Sequence, residues 1–242
     1  MAGQAGAEEV RLVLVLDGGG ERVLVFLPGF MTAAESYVEV LTPVADAGVT
    51  VLVPQLYRRG VGALAGRVPV SSEASAAADL VRVTAAERGT PLVHLGGHSR
   101  GGQAAWRAAA LLAAEGLPAG LVVIDPVDGA GRRPTEADAT AEPAAFDVRT
   151  LVIGAGLGGR CAPEAVNHAV FAAAAPFAQH VLVTGMGHVD LLDDRPRALA
   201  RRLCPGGPDP DSARTSVSAL LVAFLAGTPL PALDGAVEVL QA

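Results

Sequence analysis

The sequence predicts an α/β architecture, a mainly parallel central sheet with helices on both faces, carried by 242 residues as one domain. Three observations point there. Short β-branched runs alternate with longer Ala- and Leu-rich stretches, the pattern of parallel strands and the helices that cover them. Apolar residues make up 51% of the chain, enough to bury a large aliphatic core and unlike a disordered segment. The length suits one α/β domain better than two small ones.

Strands are expected at Arg11–Leu16, Arg22–Leu27, 49–53, 92–95, Leu121–Ile124, 150–153 and 180–183. Asp17-Gly18-Gly19-Gly20 between the first two reads as a hairpin turn. Thr32-Ala33-Ala34-Glu35 has capping-box spacing and should start a helix running toward Ala45, with Pro43 shortening or kinking it. Further helices should follow Ser99 and Pro163, and Asp209-Pro210 should cap one that ends at Gly227. The stretch 57–75 lacks periodicity and reads as a lid or surface loop, and 129–143 as an excursion loop.

Composition removes several function classes. The net charge of −7 has the wrong sign for nucleic acid or an anionic membrane surface. All 18 basic residues are arginine. Without lysine no Schiff base forms, which excludes pyridoxal phosphate enzymes and lysine aldolases, and no Walker-type phosphate loop is complete. No signal peptide is visible at the N-terminus, and the most apolar late stretch, 217–226, is too short to cross a bilayer. A cytoplasmic protein is the default, with no stable membrane insertion. Cys161 and Cys204 alone make neither a disulfide framework nor a zinc site. Two free buried thiols are expected there, although a bridge would brace the segment between them.

The informative motif is Gly97-His98-Ser99-Arg100-Gly101. G-x-S-x-G is weak as a string, but here a strand precedes it and a helix begins just after it. That is the context of a nucleophile elbow, where a serine sits in a strained turn and flanking glycines let backbones pass closely. A serine hydroxyl needs a base. His94 lies within a strand and His98 inside the turn, so neither reaches back easily. His180 opens the last strand as a structural residue, and His168 lies on a helix as a candidate surface residue. His188 follows the last strand at the C-terminal edge of the sheet, where such folds place ligands, and is the expected base.

The acid should fall between serine and histidine in chain order. The loop after the next-to-last expected strand holds no carboxylate until Glu164. The strand before it ends in Ile124-Asp125-Pro126-Val127-Asp128-Gly129. Asp125 is the first candidate, Asp128 a close competitor and Glu164 third; either aspartate also suits turn chemistry. Oxyanion donors are expected from the backbone N–H groups of Arg100 and Phe30, with Met31 as alternative to Phe30. Phe30, Met31, Tyr57, Trp106 and Met186 are candidates for an apolar substrate pocket, and equally for core packing.

With these residues placed, the chain resembles the chlorophyllase branch of the α/β-hydrolases over nearly its whole length. Matching blocks run in order: Phe26-Leu27-Pro28-Gly29-Phe30, Val53-Pro54-Gln55-Leu56-Tyr57, Gly97-His98-Ser99-Arg100-Gly101-Gly102, Ile124-Asp125-Pro126-Val127-Asp128-Gly129, Cys161-Ala162-Pro163-Glu164-Ala165-Val166-Asn167-His168, and Gly187-His188-Val189-Asp190-Leu191-Leu192-Asp193-Asp194. The resemblance implies the α/β-hydrolase fold and ester hydrolysis without cofactor or metal, and it favours Asp125 as the acid. One departure is Pro28 where the family carries histidine at the oxyanion loop. The arginine-only character looks bacterial rather than plant, so the resemblance implies the mechanism more firmly than chlorophyll as substrate. A small-molecule ester is the expected partner.

Three other readings compete. Gly154-x-Gly156-x-x-Gly159 mimics a dinucleotide fingerprint, but comes late and is followed by a strand without the ribose-binding acid. A hydrolase fold can serve as a ligand-binding protein without catalysis. Acyl transfer or cyclisation would use the same serine.

Overall fold

The computed structural model describes residues 11–56, 69–129, 138–233 and 235–241. Among these the strands are β1 (Arg11–Leu16), β2 (Arg22–Leu27), β3 (Val49–Gln55), β4 (Val93–His98), β5 (Leu121–Ile124), β6 (Thr150–Leu157), β7 (Gln179–Gly187) and β8 (Val237–Gln241). The helices are α1 (Val38–Asp46), α2 (Val70–Arg88), α3 (Arg100–Leu112), α4 (His168–Ala174), α5 (Asp194–Ala200) and α6 (Pro210–Ala226). The strands form one sheet in the order β1-β3-β2-β4-β5-β6-β7-β8. β2 to β7 are parallel to one another, and the edges β1 and β8 pair antiparallel with β3 and β7.

Both faces of the sheet are covered, which explains why its central strands are continuously apolar rather than alternating. Leu24, Phe26, Ile124 and Ile153 pack beneath Val40 and Leu41 of α1 and Val217 and Leu221 of α6. Their neighbours Val23, Val25, Val123 and Val152 face the other way, against Ala77 and Val81 of α2, Trp106 of α3 and Phe171 of α4. Register along each strand thus fixes which end and which face each loop leaves from.

Several local expectations need correction. β1 and β2 do not form a hairpin: β3 lies between them, antiparallel to β1 and parallel to β2. The glycine run has a different task. A Cβ at Gly18 would lie 2.5 Å from the Val49 backbone, so the turn is glycine because the start of β3 passes against it. The capping box does not form either. Ala33 occupies the cap, a 3-10 helix at Ala34–Tyr37 leads into α1, and the Thr32 hydroxyl instead donates to the Gly29 carbonyl at 2.6 Å. The end of the stretch read as a lid is helical, since α2 starts at Val70; residues 57–68 lie outside the described residues. In the excursion loop 130–137 lies outside them, and 139–140 is a turn tied to Asp128.

α6 starts as expected, with the Asp209 carboxylate accepting from the Ser212 N–H at 3.0 Å, Pro210 in the first turn and Gly227 at φ 74° ending it. Cys161 and Cys204 are not free thiols. They are bonded to one another, with Cα atoms 5.5 Å apart, and join the 3-10 helix after β6 to the segment after α5. No helix among the described residues is long and apolar enough to cross a membrane.

Candidate active site

Ser99 stands between the last residue of β4 and the first of α3, at φ 55° and ψ −122°. A side chain in that region is strained, and the elbow persists because its surroundings dictate it. A Cβ at Gly97 would lie 2.5 Å from Gly101, and one at Gly101 would collide with the Leu27 carbonyl. The glycines two residues either side of the serine therefore permit a crossing of three backbones. The Ser99 N–H donates to the Ile124 carbonyl at 3.1 Å, and its own carbonyl accepts from Gln103 and Val127. The elbow is thereby bonded to the very turn that carries Asp125.

The structure brings Ser99, His188 and Asp125 together. Ser99 Oγ lies 3.0 Å from His188 Nε2, and His188 Nδ1 lies 2.6 Å from Asp125 Oδ2. Each comes from the C-terminal end of a different strand: β4, β7 and β5. Asp125 is fully buried, and its backbone sits at φ 39°. Its second oxygen accepts from the Ala155 N–H of β6 at 3.2 Å. A carboxylate held by two donors keeps the imidazole in one tautomer and faces the positive charge that forms on it.

Asp128 and Glu164 are not brought to the imidazole. Asp128 Oδ1 accepts from Gln103 Nε2 (2.6 Å), Gly129 N (3.0 Å) and Ala139 N (2.7 Å), while Oδ2 accepts from Thr140 N (2.8 Å) and Oγ1 (2.6 Å). That is a structural carboxylate with its lone pairs in use. Glu164 is exposed on a 3-10 helix.

The loop after β2 lies against the nucleophile: a Cβ at Gly29 would be 3.4 Å from Ser99 Cβ. Phe30 and Met31, the next two residues, are 43% and 45% exposed, and the Arg100 guanidinium sits 5.8 Å from the Phe30 ring centre. Arg100 is buried and held bidentately by buried Glu73 of α2 at 3.0–3.1 Å. Trp106 and Met186 are not pocket residues. Trp106 is in the core between Phe146 and Phe171, and Met186 is buried under the face covered by α1 and α6. Tyr57 lies outside the described residues.

His168 is not at the surface. It is buried, with Nδ1 2.8 Å from His180 Nε2, and burial lowers its pKa while the charge of Asp125 opposes that. Gly154 and Gly156 are inside β6, so they form no phosphate-binding loop. One acidic trio with metal-ligand spacing occurs among the described residues: Glu39, Asp194 and Asp211. The Arg214 guanidinium already fills it, 2.9 Å from Glu39, 3.3 Å from Asp194 and bonded to Asp211.

Sequence reasoning missed three residues around the triad. Asp190 is fully buried and accepts from the Gly187 N–H at 2.7 Å and the Gly207 N–H at 2.5 Å, pinning the His188 turn. A signal was present, because an aspartate side chain readily closes a turn by accepting from nearby backbone N–H groups. Tyr37 and His98, bonded at 2.9 Å, left no such trace.

Comparison with solved structures shows that this sheet has the α/β-hydrolase fold. A ferulic acid esterase from Streptomyces cinnamoneus superposes with a TM-score of 0.63 at 16% identity, covering 92% of this chain and 74% of that one. Est1E from Butyrivibrio proteoclasticus gives 0.58 at 13%, covering 81% and 93%. At such identities these likenesses carry the fold alone. The narrower assignment comes from sequence. The chlorophyllase family profile matches residues 5–231. Chlorophyllase-1 of Citrus unshiu is 32% identical over 244 residues, spanning 88% of this chain and 70% of that protein. Chlorophyllase-1 of Arabidopsis thaliana is 29% identical over 248 residues, spanning 91% and 76%. The chain belongs to the chlorophyllase family and is a serine carboxylic-ester hydrolase.

Proposed function

We propose that Ser99, His188 and Asp125 hydrolyse an apolar ester through an acyl-enzyme. The observation that carries this is the unbroken line from Ser99 Oγ through the His188 ring to buried Asp125, on a serine held at positive φ. His188 Nε2 takes the Ser99 proton as Oγ attacks the ester carbonyl carbon. The oxyanion that forms is received by the backbone N–H groups of Arg100 and Phe30. The imidazolium then passes its proton to the departing alkoxide, leaving Ser99 acylated. Water repeats the sequence, with His188 again as base, and releases the acid.

The exposed Phe30 and Met31 beside Ser99 favour an ester with a sizeable apolar group. The Cys161–Cys204 bond favours an oxidising location over a cytoplasmic one.

Intact mass after exposure to a fluorophosphonate tests the reading. One stoichiometric adduct on the wild type and none on Ser99→Ala is the expected result. Folded wild-type protein that takes up no adduct would overturn it, and would favour a ligand-binding role for the fold.

A further inference from the structure

Two buried side chains beside the triad have no part in the steps above. His98 immediately precedes the nucleophile, and its ring centre is 4.8 Å from that of His188. Tyr37 closes the 3-10 helix that follows the oxyanion loop.

Their hydrogen bonds run in a direction that proton counting fixes. His98 Nε2 lies 2.9 Å from the His188 carbonyl, which only accepts, so Nε2 carries a proton. Burial first, and then the neighbouring His188, hold the His98 pKa well below the usual histidine range. The ring is neutral, and Nδ1 is an acceptor. It receives the Tyr37 hydroxyl proton at 2.9 Å, and the same hydroxyl oxygen accepts from the Gly29 N–H at 2.9 Å. The Thr32 proton is directed to the Gly29 carbonyl. A chain of three bonds thus runs from the oxyanion loop to the backbone of the triad histidine.

We infer that Tyr37 and His98 are positioning residues, a buried strut that sets the oxyanion loop in register with His188. The inference rests on the esterase reading and deepens it. Catalysis needs the oxyanion donors and the base to face one carbonyl group together, yet they sit on loops far apart in sequence. Gly29, one end of the strut, is next to Phe30; His188 is the other end. A second tie holds the same turn from the surface side, where Asp193 N donates to the Ser36 carbonyl at 2.8 Å and Asp193 Oδ1 accepts from the Glu39 N–H at 3.0 Å. His98 is the better coupling element because it packs against the His188 ring and bonds its backbone directly.

The test compares wild type with Tyr37→Phe, His98→Gln, His98→Leu and Ser99→Ala. Read out are the rate of fluorophosphonate labelling and kcat and KM on a p-nitrophenyl ester. Tyr37→Phe keeps the ring on Phe26, whose centre is 5.3 Å away, and deletes only the hydroxyl. It should slow labelling and kcat by about tenfold or more, with KM nearly unchanged, because misplacement acts on the transition state. His98→Gln retains an N–H for the His188 carbonyl and should recover part of what His98→Leu loses. Wild-type labelling and kcat in Tyr37→Phe would overturn the inference, as would a fall expressed in KM alone. If His98→Leu does not fold, Tyr37→Phe decides the matter by itself. Wild type that is not labelled would instead sink the esterase reading, and the strut with it.

Discussion

Asp125 and Asp128 stand three residues apart in one turn, and their surroundings give them opposite duties. Asp125 offers one oxygen to His188 and the other to a strand N–H. Asp125→Asn preserves size but offers the wrong partner to Nδ1, so kcat on an ester should drop by about 10³–10⁴ with the fold intact. Steady-state kinetics beside a thermal melt checks this; near-normal turnover would remove Asp125 from the triad. Asp128→Ala strands a set of donors instead, those of Gln103, Gly129, Ala139 and Thr140. Leaving buried donors unmatched should lower unfolding free energy by at least about 2 kcal/mol. Denaturant titration measures that loss, and fluorophosphonate labelling of the folded fraction should persist. Residue patterning set Asp125 only just ahead of Asp128, because Pro126 and Gly129 suit either one to turn chemistry, and it was the chlorophyllase resemblance that favoured Asp125. The direction in which the chain leaves β5 separates them.

At the level of elements, the serine and histidine were legible because each is announced locally. The elbow needs its glycines within two residues, and His188 directly follows β7, whose Val181-Leu182-Val183 run marks it as a strand. Elements that depend on distant partners were not. β8 is an edge strand with exposed Val239 and Leu240, so it lacks the buried pattern that marks the central strands. The supposed hairpin failed because β3, which arrives later in the chain, inserts between β1 and β2. The disulfide was illegible for the same reason: residues separated by 43 positions carry no sign of meeting. That bridge encloses β7 and the His188 turn. Closing a loop of this size stabilises a chain by about 2–4 kcal/mol, mainly through the unfolded state. Replacing both Cys161 and Cys204 by serine should lower the unfolding free energy by that amount. Dithiothreitol should do the same to the wild type and nothing further to the double variant. A wild type indifferent to reductant would show that the bridge does not form in solution.

For the molecule as a whole, acid sensitivity should be set by histidines as much as by carboxylates. All five histidines are buried. Burial, then the charge of Arg149, takes His94 down to about 4; burial, then His168, takes His180 to about 4; and His98 lies well below its ordinary value. A folded-state pKa below the unfolded one means that unfolding takes up protons across the interval between them. For His94 and His180 that interval runs from about 6.5 down to about 4. Stability is therefore greatest above it and is lost as the pH falls through it. Each such histidine contributes up to about 1.4 kcal/mol per pH unit, less where solvent reaches the ring. Urea midpoints taken at about pH 7.5, 6 and 5 should fall steadily in this window. His94 tests the cause, since it sits at the N-terminal end of β4, away from the triad at the C-terminal end of the sheet, with its ring beside Gly120. His94→Leu cannot take up the proton, so its midpoints should decline less steeply than those of the wild type. Equal slopes would assign the acid sensitivity to the carboxylates instead.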